Sequence, residues 1–291
     1  MAYTSFVQLV DDAAKHATLA DAIASHEAEV ADTSPEAIRL RMREMLDAMR
    51  STIDDAHCSD ARSRTGLIGG DAKKLHDALR DDCVPIVVDP LFIDVLTGAL
   101  ATAEVNARMG RIVAAPTAGA SGVLPGVVLA VADRHDLSDE QLVDGLLVAG
   151  AIGEIFAASS TLSGAAGGCQ AEIGTAAAMT AGALCSLLGG SIEQVGHAAT
   201  LAIQGLLGLV CDPVGGLVEI PCVMRNATGA SVALAAAQMA LAGIEFPIPL
   251  DEVVSASSRV GALIDPTLRE TAQAGLATTP TARKLAEELE K

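Results

Sequence analysis

Gly167-Gly168-Cys169-Gln170-Ala171-Glu172-Ile173-Gly174, Cys211-Asp212-Pro213-Val214-Gly215-Gly216 and Ile220-Pro221-Cys222-Val223-Met224-Arg225-Asn226 decide how this chain is read. Each cysteine stands among glycine or proline, where the backbone can turn sharply and approach a bulky ligand closely. Between the first two lie residues 173–192, twenty without a charge, and residues 194–210, seventeen more. Uncharged runs rich in Ala and Gly read as buried helices of an all-α body. The fold is therefore expected to bring Cys169, Cys211 and Cys222 to one metal centre.

Composition supports helices packed on small residues. Hydrophobic content is 51% but aromatic content only 2%, and there are 27 glycines. Small side chains let helices approach closely, and sheet formers are scarce outside short runs. The net charge of −18 excludes a nucleic-acid partner, whose affinity rests on Lys and Arg meeting phosphates. It also opposes an anionic membrane surface. Mean hydropathy is +0.41, and roughly twenty apolar residues can cross a bilayer. The uncharged runs, however, hold Ala, Gly, Ser and Thr, there is no Trp, and no Lys or Arg occurs between Arg134 and Arg225 to set an orientation. The expectation is no membrane. Residues 1–10 lack a basic start followed by an apolar block, and six cysteines are too few for a disulfide scaffold, so the cytoplasm is the expected compartment.

Taken in order, residues 5–29 read as an acidic helix. Thr33 and Glu36 have capping-box spacing with Pro35 in the first turn. Ile38, Met42, Met45, Leu46, Met49 and Ile53 then form one apolar stripe. Residues 64–74 combine paired glycines with basic and hydroxyl groups, a ligand loop or an ordinary one; His57, Cys58 and Cys83 carry no clear signal. Asp89-Pro90 starts a helix running to about residue 110. Residues 117–122 form a small-residue loop leading into a helix, either an anion site or a tight interhelical turn. Ser138–Gln141 and Ser191–Gln194 are capping boxes opening helices at about 139–158 and 192–208, with another near 172–188 that buries Cys185. His197 reads as a satisfied core histidine. A helix over 223–242, Asp251 as the next cap, and a charged helix after Pro280 complete the chain. With no repeat and no Gly/Ser linker, this is an Ala/Gly-rich multi-helix domain over residues 57–291 with an N-terminal helical arm over residues 1–56.

The cysteines are separated by 41 and 10 residues without a C-x-x-C pair, so spacing alone names no metal. A closed zinc site wants a fourth ligand, and no Cys or His lies within a few residues of the three. Three thiolates suit a cubic iron–sulfur cluster with one iron free of protein ligation. Such an iron can act as a Lewis acid on a substrate oxygen.

Together with N-A-R-M-G-R-I-V-A-A-P-T-A-G-A-S-G over residues 106–122, the three quoted segments resemble the α chain of the iron–sulfur-dependent L-serine dehydratases (L-serine ammonia-lyases). The resemblance runs from about residue 64 to residue 280. It implies a 4Fe–4S cluster on Cys169, Cys211 and Cys222 in place of pyridoxal phosphate, and elimination of water from L-serine to give pyruvate and ammonia. Family members often carry a second region, fused or separate, for which this sequence has no length left, so a separate β subunit is the implied partner, within an oligomer. In that chemistry the substrate carboxylate needs donors or cations. Thr117, Ala118, Gly119 and Ser121 are the candidate donors, with Arg225, one helical turn past Cys222, and its neighbour Asn226. The α-proton base is unassigned: Glu172 shares a helix face with Cys169, yet it equally suits the electrostatics of a helix N-terminus, and the partner chain is another source. Competing readings are a related lyase acting on cysteine or another β-substituted amino acid, and a non-enzymatic helical membrane or scaffold protein.

Overall fold

The computed structural model describes residues 2–57, 59–80 and 84–289; Cys58 and Cys83 lie outside them. Among the described residues the fold is all-α, with thirteen helices: α1 (Phe6–Ala13), α2 (Leu19–Val30), α3 (Pro35–His57), α4 (Asp71–Arg80), α5 (Pro90–Ala107), α6 (Val123–His135), α7 (Asp139–Ser159), α8 (Gly164–Gly167), α9 (Thr175–Leu187), α10 (Ile192–Gln204), α11 (Cys222–Leu241), α12 (Leu250–Leu263) and α13 (Pro280–Leu289). An isolated parallel bridge joins Cys211 to Arg269, and no described residue lies in a strand.

Helix α9 is the axis. Every residue from Thr175 to Cys185 is buried, and α6, α7, α10 and α11 pack around it. Small residues allow that density. A side chain on Gly126 would place its Cβ 2.5 Å from the Ala99 backbone nitrogen, and one on Gly122 would run into the Ala99 carbonyl. Helix α5 and the start of α6 thus meet backbone to backbone. The uncharged runs at 173–192 and 194–210 supply α9 and α10, inside the bundle. Helix α7 is long and apolar enough to cross a membrane by length and composition alone, but 67% of that window is buried in the protein.

Local end signals behave as their chemistry dictates. Ser138 and Ser191 both form complete capping boxes, with Gln141 and Gln194, and Asp89 caps α5 through the Leu91 N–H at 2.9 Å, with Pro90 in the first turn. Three expectations are corrected. The helix expected over 5–29 is two, because Thr18 caps α2 through the Asp21 N–H at 3.1 Å. The cap of α3 is Ser34, which accepts from the Ala37 N–H at 3.3 Å, and not Thr33. Asp251 stands inside the first turn of α12 but caps another helix, accepting from Phe6 N–H at 2.7 Å and Val7 N–H at 3.3 Å in α1.

The N-terminal helices join the same core: Tyr3, Leu9, Ile23, Leu46 and Met49 cluster with residues of α6, α7, α9 and α10. Along α3, Arg39, Arg43 and Arg50 meet Asp144, Glu140 and Asp139 on α7 at 2.5, 2.9 and 2.6 Å. Partly exposed pairs of this kind set alignment more than stability. Burial of the apolar stripe holds the arm down.

Candidate active site

Three separate segments deliver the cysteines. Cys169 precedes a single π-helical turn, Gln170–Gly174, that leads into α9; such turns are rare and cluster at functional sites. The buried Gln170 amide fastens this turn, donating to the Ser257 carbonyl at 2.7 Å and accepting from Gly208 N–H at 2.7 Å. Cys211 is paired with the 268–270 segment: its N–H donates to the Leu268 carbonyl at 2.8 Å, and its carbonyl accepts from Glu270 N–H at 2.7 Å. Cys222 opens α11, at the end of a tight loop closed by Val214 N–H to the Ile220 carbonyl at 2.8 Å.

All three thiols are buried, at 2%, 2% and 7% exposure; Cys211 responds to the charge of the other two and Cys222 to that of Cys169. Burial pushes Cys169 up to about 11, against the pull of Arg225. Cys222 is pushed up to about 12 by burial and then by the charges of Cys169 and Glu172. Cys211 is raised by burial and then by Cys169 and Cys222. Thiols that resist ionisation on their own are readily deprotonated by a bound cation. Among the described residues no three His, Cys, Asp or Glu groups converge tightly enough for a single metal ion. A single ion needs every ligand within about 2.0–2.3 Å of one point, whereas a cluster takes each thiolate on a different iron. The donor set fits the larger group.

Arg225 is already engaged within the chain. Its guanidinium donates to the Val210 carbonyl at 2.8 Å and to Asp212 Oδ1 at 2.8 Å, and its charge pulls on the Cys169 thiol. Asp212, itself buried, also accepts from Leu276 N–H at 2.7 Å. Arg225 is thus the positive neighbour of a thiol. Asn226 is likewise spent within the chain: Oδ1 accepts from Gly122 N–H at 2.9 Å, and Nδ2 donates to the carbonyls of Gly119 at 2.8 Å and Cys222 at 3.0 Å. It clamps the 117–122 loop onto α11.

That loop does reach the cysteines, through Glu172. Thr117 Oγ1 donates to Glu172 Oε1 at 2.7 Å, with Glu172 in the first turn of the π-helical segment. A Cβ built on Gly164 would lie 2.7 Å from Glu172 Oε2 and 3.2 Å from Cys211 Sγ. Carboxylate and sulfur therefore converge where only glycine leaves room. Burial raises the Glu172 pKa, and Glu270 raises it further while Thr117 opposes. Ala118 is exposed, Gly119 half-buried and Ser121 buried; the Ser121 hydroxyl has no hydrogen-bond partner.

The glycine-rich 64–74 segment is tied to the same region at one end and closed at the other. Ser63 and Thr65 both donate to the buried Glu219 carboxylate, at 2.8 and 2.5 Å. The N–H groups of Gly70, Asp71 and Ala72 are taken by buried Glu104, at 3.1, 2.7 and 3.1 Å. An internal carboxylate fills the anion position at the start of α4. Cys185 is fully buried in α9 and takes no part in the thiol group, and His197, half-buried rather than in the core, accepts from Phe246 N–H at 3.3 Å.

Comparison with known proteins places this arrangement. A family model described as "Serine dehydratase alpha chain" matches residues 14–277. The chain belongs to that family. It is 45% identical over 271 residues to the "Probable L-serine dehydratase, alpha chain" of Bacillus subtilis (strain 168), covering 93% of this chain and 89% of that one. It is 38% identical over 265 residues to the "L-serine dehydratase, alpha chain" of Peptoniphilus asaccharolyticus, covering 91% and 90%. An "L-serine dehydratase" of Streptomyces coelicolor is 40% identical over 248 residues, 82% of this chain but only 53% of that longer protein.

Within this serine dehydratase α chain, sequence reasoning missed Glu270, Asp212 and Gln170. The last two directly follow Cys211 and Cys169 in the quoted segments. Glu270, held at φ +63°, carries no local signal.

Proposed function

We propose that this chain is the α subunit of a cytoplasmic L-serine ammonia-lyase. In this reading Cys169, Cys211 and Cys222 hold a 4Fe–4S cluster, and a separate β chain completes the oligomeric enzyme. The observation that carries it is the convergence of three buried thiols, Cys211 and Cys222 both feeling the charge of Cys169, with Arg225 beside Cys169. When bound, the cluster supplies a Lewis-acid iron that eases departure of the β-hydroxyl.

The chain's own residues account for the rest. The N–H groups of Ala120 and Ser121 are spent inside the loop and that of Gly122 on Asn226. The Thr117 hydroxyl is spent on Glu172, so the donors that the loop keeps for a carboxylate are at Ala118 and Gly119, with the Ser121 hydroxyl beside them. Asn226 positions this loop, and Arg225 offsets the negative charge of the thiolates. Glu172 takes the α-proton onto a carboxylate oxygen, oriented by Thr117 and set between that loop and Cys211. Loss of the α-proton and of hydroxide leaves aminoacrylate, which tautomerises and hydrolyses to pyruvate and ammonia without further catalysis.

The test is anaerobic assay of the chain with its β partner. L-Serine should release pyruvate, and Glu172→Gln should retain iron while turnover falls about 10²-fold or more. Absence of pyruvate, or full turnover in Glu172→Gln, overturns the reading.

A further inference from the structure

A cavity of about 430 Å³ opens where α3, α4, α5 and α6 meet, and it shares no residue with the cysteine site. That volume suits a metabolite-sized ligand. Three carboxylates stand around it, Asp54 on α3, Asp94 on α5 and Asp133 on α6. Its cations are fewer: Arg50, already paired with Asp139 at 2.6 Å, and His76, which lies against Asp77. Partial burial holds the Asp94 carboxyl above its usual range, and Asp133 and Asp89 add to this while His76 opposes it. The remaining wall includes Ile53, Leu129 and Ala130.

A second observation is independent of charge. Thr97 lines the cavity, is 2% exposed, and its hydroxyl has no hydrogen-bond partner. Thr175, at the first position of α9 and away from this cavity, is the other buried helix threonine without a partner, and the remaining four behave differently. Thr52, Thr102, Thr180 and Thr200 each return the hydroxyl to the carbonyl four residues earlier, at 2.7, 3.2, 2.7 and 2.8 Å. Leaving a buried hydroxyl unpaired is costly, and Thr97 makes no such return bond.

The acids come from separate helices, and among the described residues no three acidic, His or Cys groups gather tightly enough for a metal ion. Spread charges beside an apolar wall suit an elongated cation. We propose that this cavity binds a small aliphatic diamine or polyamine. Its ammonium groups meet Asp54, Asp94 and Asp133, its methylenes lie on Ile53 and Leu129, and one N–H donates to the Thr97 hydroxyl.

Isothermal titration of 1,4-diaminobutane and of spermidine into the anaerobically purified chain tests this. Saturable binding is expected for at least one of them. Asp94→Asn should weaken it about tenfold or more, and Thr97→Val, nearly equal in volume, about threefold or more. Thr97→Val should melt no lower than wild type, since it removes an unpaired hydroxyl, so it stays informative should Asp94→Asn fold poorly. Absence of saturable heat with both amines, unchanged affinity in the Thr97→Val protein, or displacement by equimolar magnesium chloride overturns the proposal.

Discussion

Replacing Asn226 by alanine removes the clamp between the 117–122 loop and α11. Gly122 is buried, so its N–H, now 2.9 Å from Asn226 Oδ1, would be left without a partner at a cost of about 1–3 kcal/mol. The Gly119 carbonyl, on a half-buried residue, can turn to water and loses about 1 kcal/mol or less. The Cys222 carbonyl keeps its helical bond, and alanine returns roughly 0.5 kcal/mol in helix propensity. The net is a loss of about 2 kcal/mol, or roughly 4–8 °C in Tm. Aspartate, though nearly identical in shape, should be worse. It sets an oxygen against the Gly119 and Cys222 carbonyls in a residue that is 1% exposed, and an uncompensated buried charge costs about 3–5 kcal/mol. Its folded pKa must then lie above the unfolded value of about 3.9, so the folded state binds more protons and stability falls as pH rises through the folded pKa. Thermal melts by circular dichroism at pH 8 and pH 5.5 should rank Asn above Ala above Asp at pH 8, with the Ala–Asp gap narrowing at pH 5.5. An aspartate variant at least as stable as alanine at pH 8 would refute the clamp, as would an alanine variant within about 0.5 kcal/mol of wild type.

Further predictions rest on single observations. Glu104→Ala leaves three N–H groups at the start of α4 without their carboxylate, and urea unfolding should register a loss of about 3–5 kcal/mol, with Glu104→Gln costing less. Burial and then Glu27 raise the Glu154 pKa, so wild type loses stability as pH rises through it. Glu154→Gln should match wild type in Tm at acid pH and exceed it at alkaline pH; a pH-independent difference counts against this. Gly164→Ala pushes a methyl between Glu172 Oε2 and Cys211 Sγ, and should abolish pyruvate release with the helical circular dichroism signal intact.

What could be read from the residues was what short spacing determines. The capping boxes at Ser138 and Ser191 are complete within four residues, and the uncharged runs read as core helices because no charge on them demands water. The three cysteines stood out because glycine and proline surround them. Errors arose where the partner is distant in sequence. Asp251 has the spacing of a cap for α12, but the first turn of α1 takes its carboxylate. Equally hidden was the hold of Asp212 and Val210, across a loop, on the Arg225 guanidinium. Glu270 and the Ser63–Thr65–Glu219 contact are tertiary pairings that no local pattern encodes.

The central claim is that three particular sulfurs hold the cofactor, and the chain contains its own control in Cys185, fully buried in α9 but remote from the group. Iron and acid-labile sulfide should be measured on anaerobically reconstituted protein. The account predicts about four of each per wild-type chain, retention in Cys185→Ala, and a marked loss in Cys169→Ala, Cys211→Ala and Cys222→Ala. Wild-type protein without iron, or three variants that load as fully as Cys185→Ala, would contradict it.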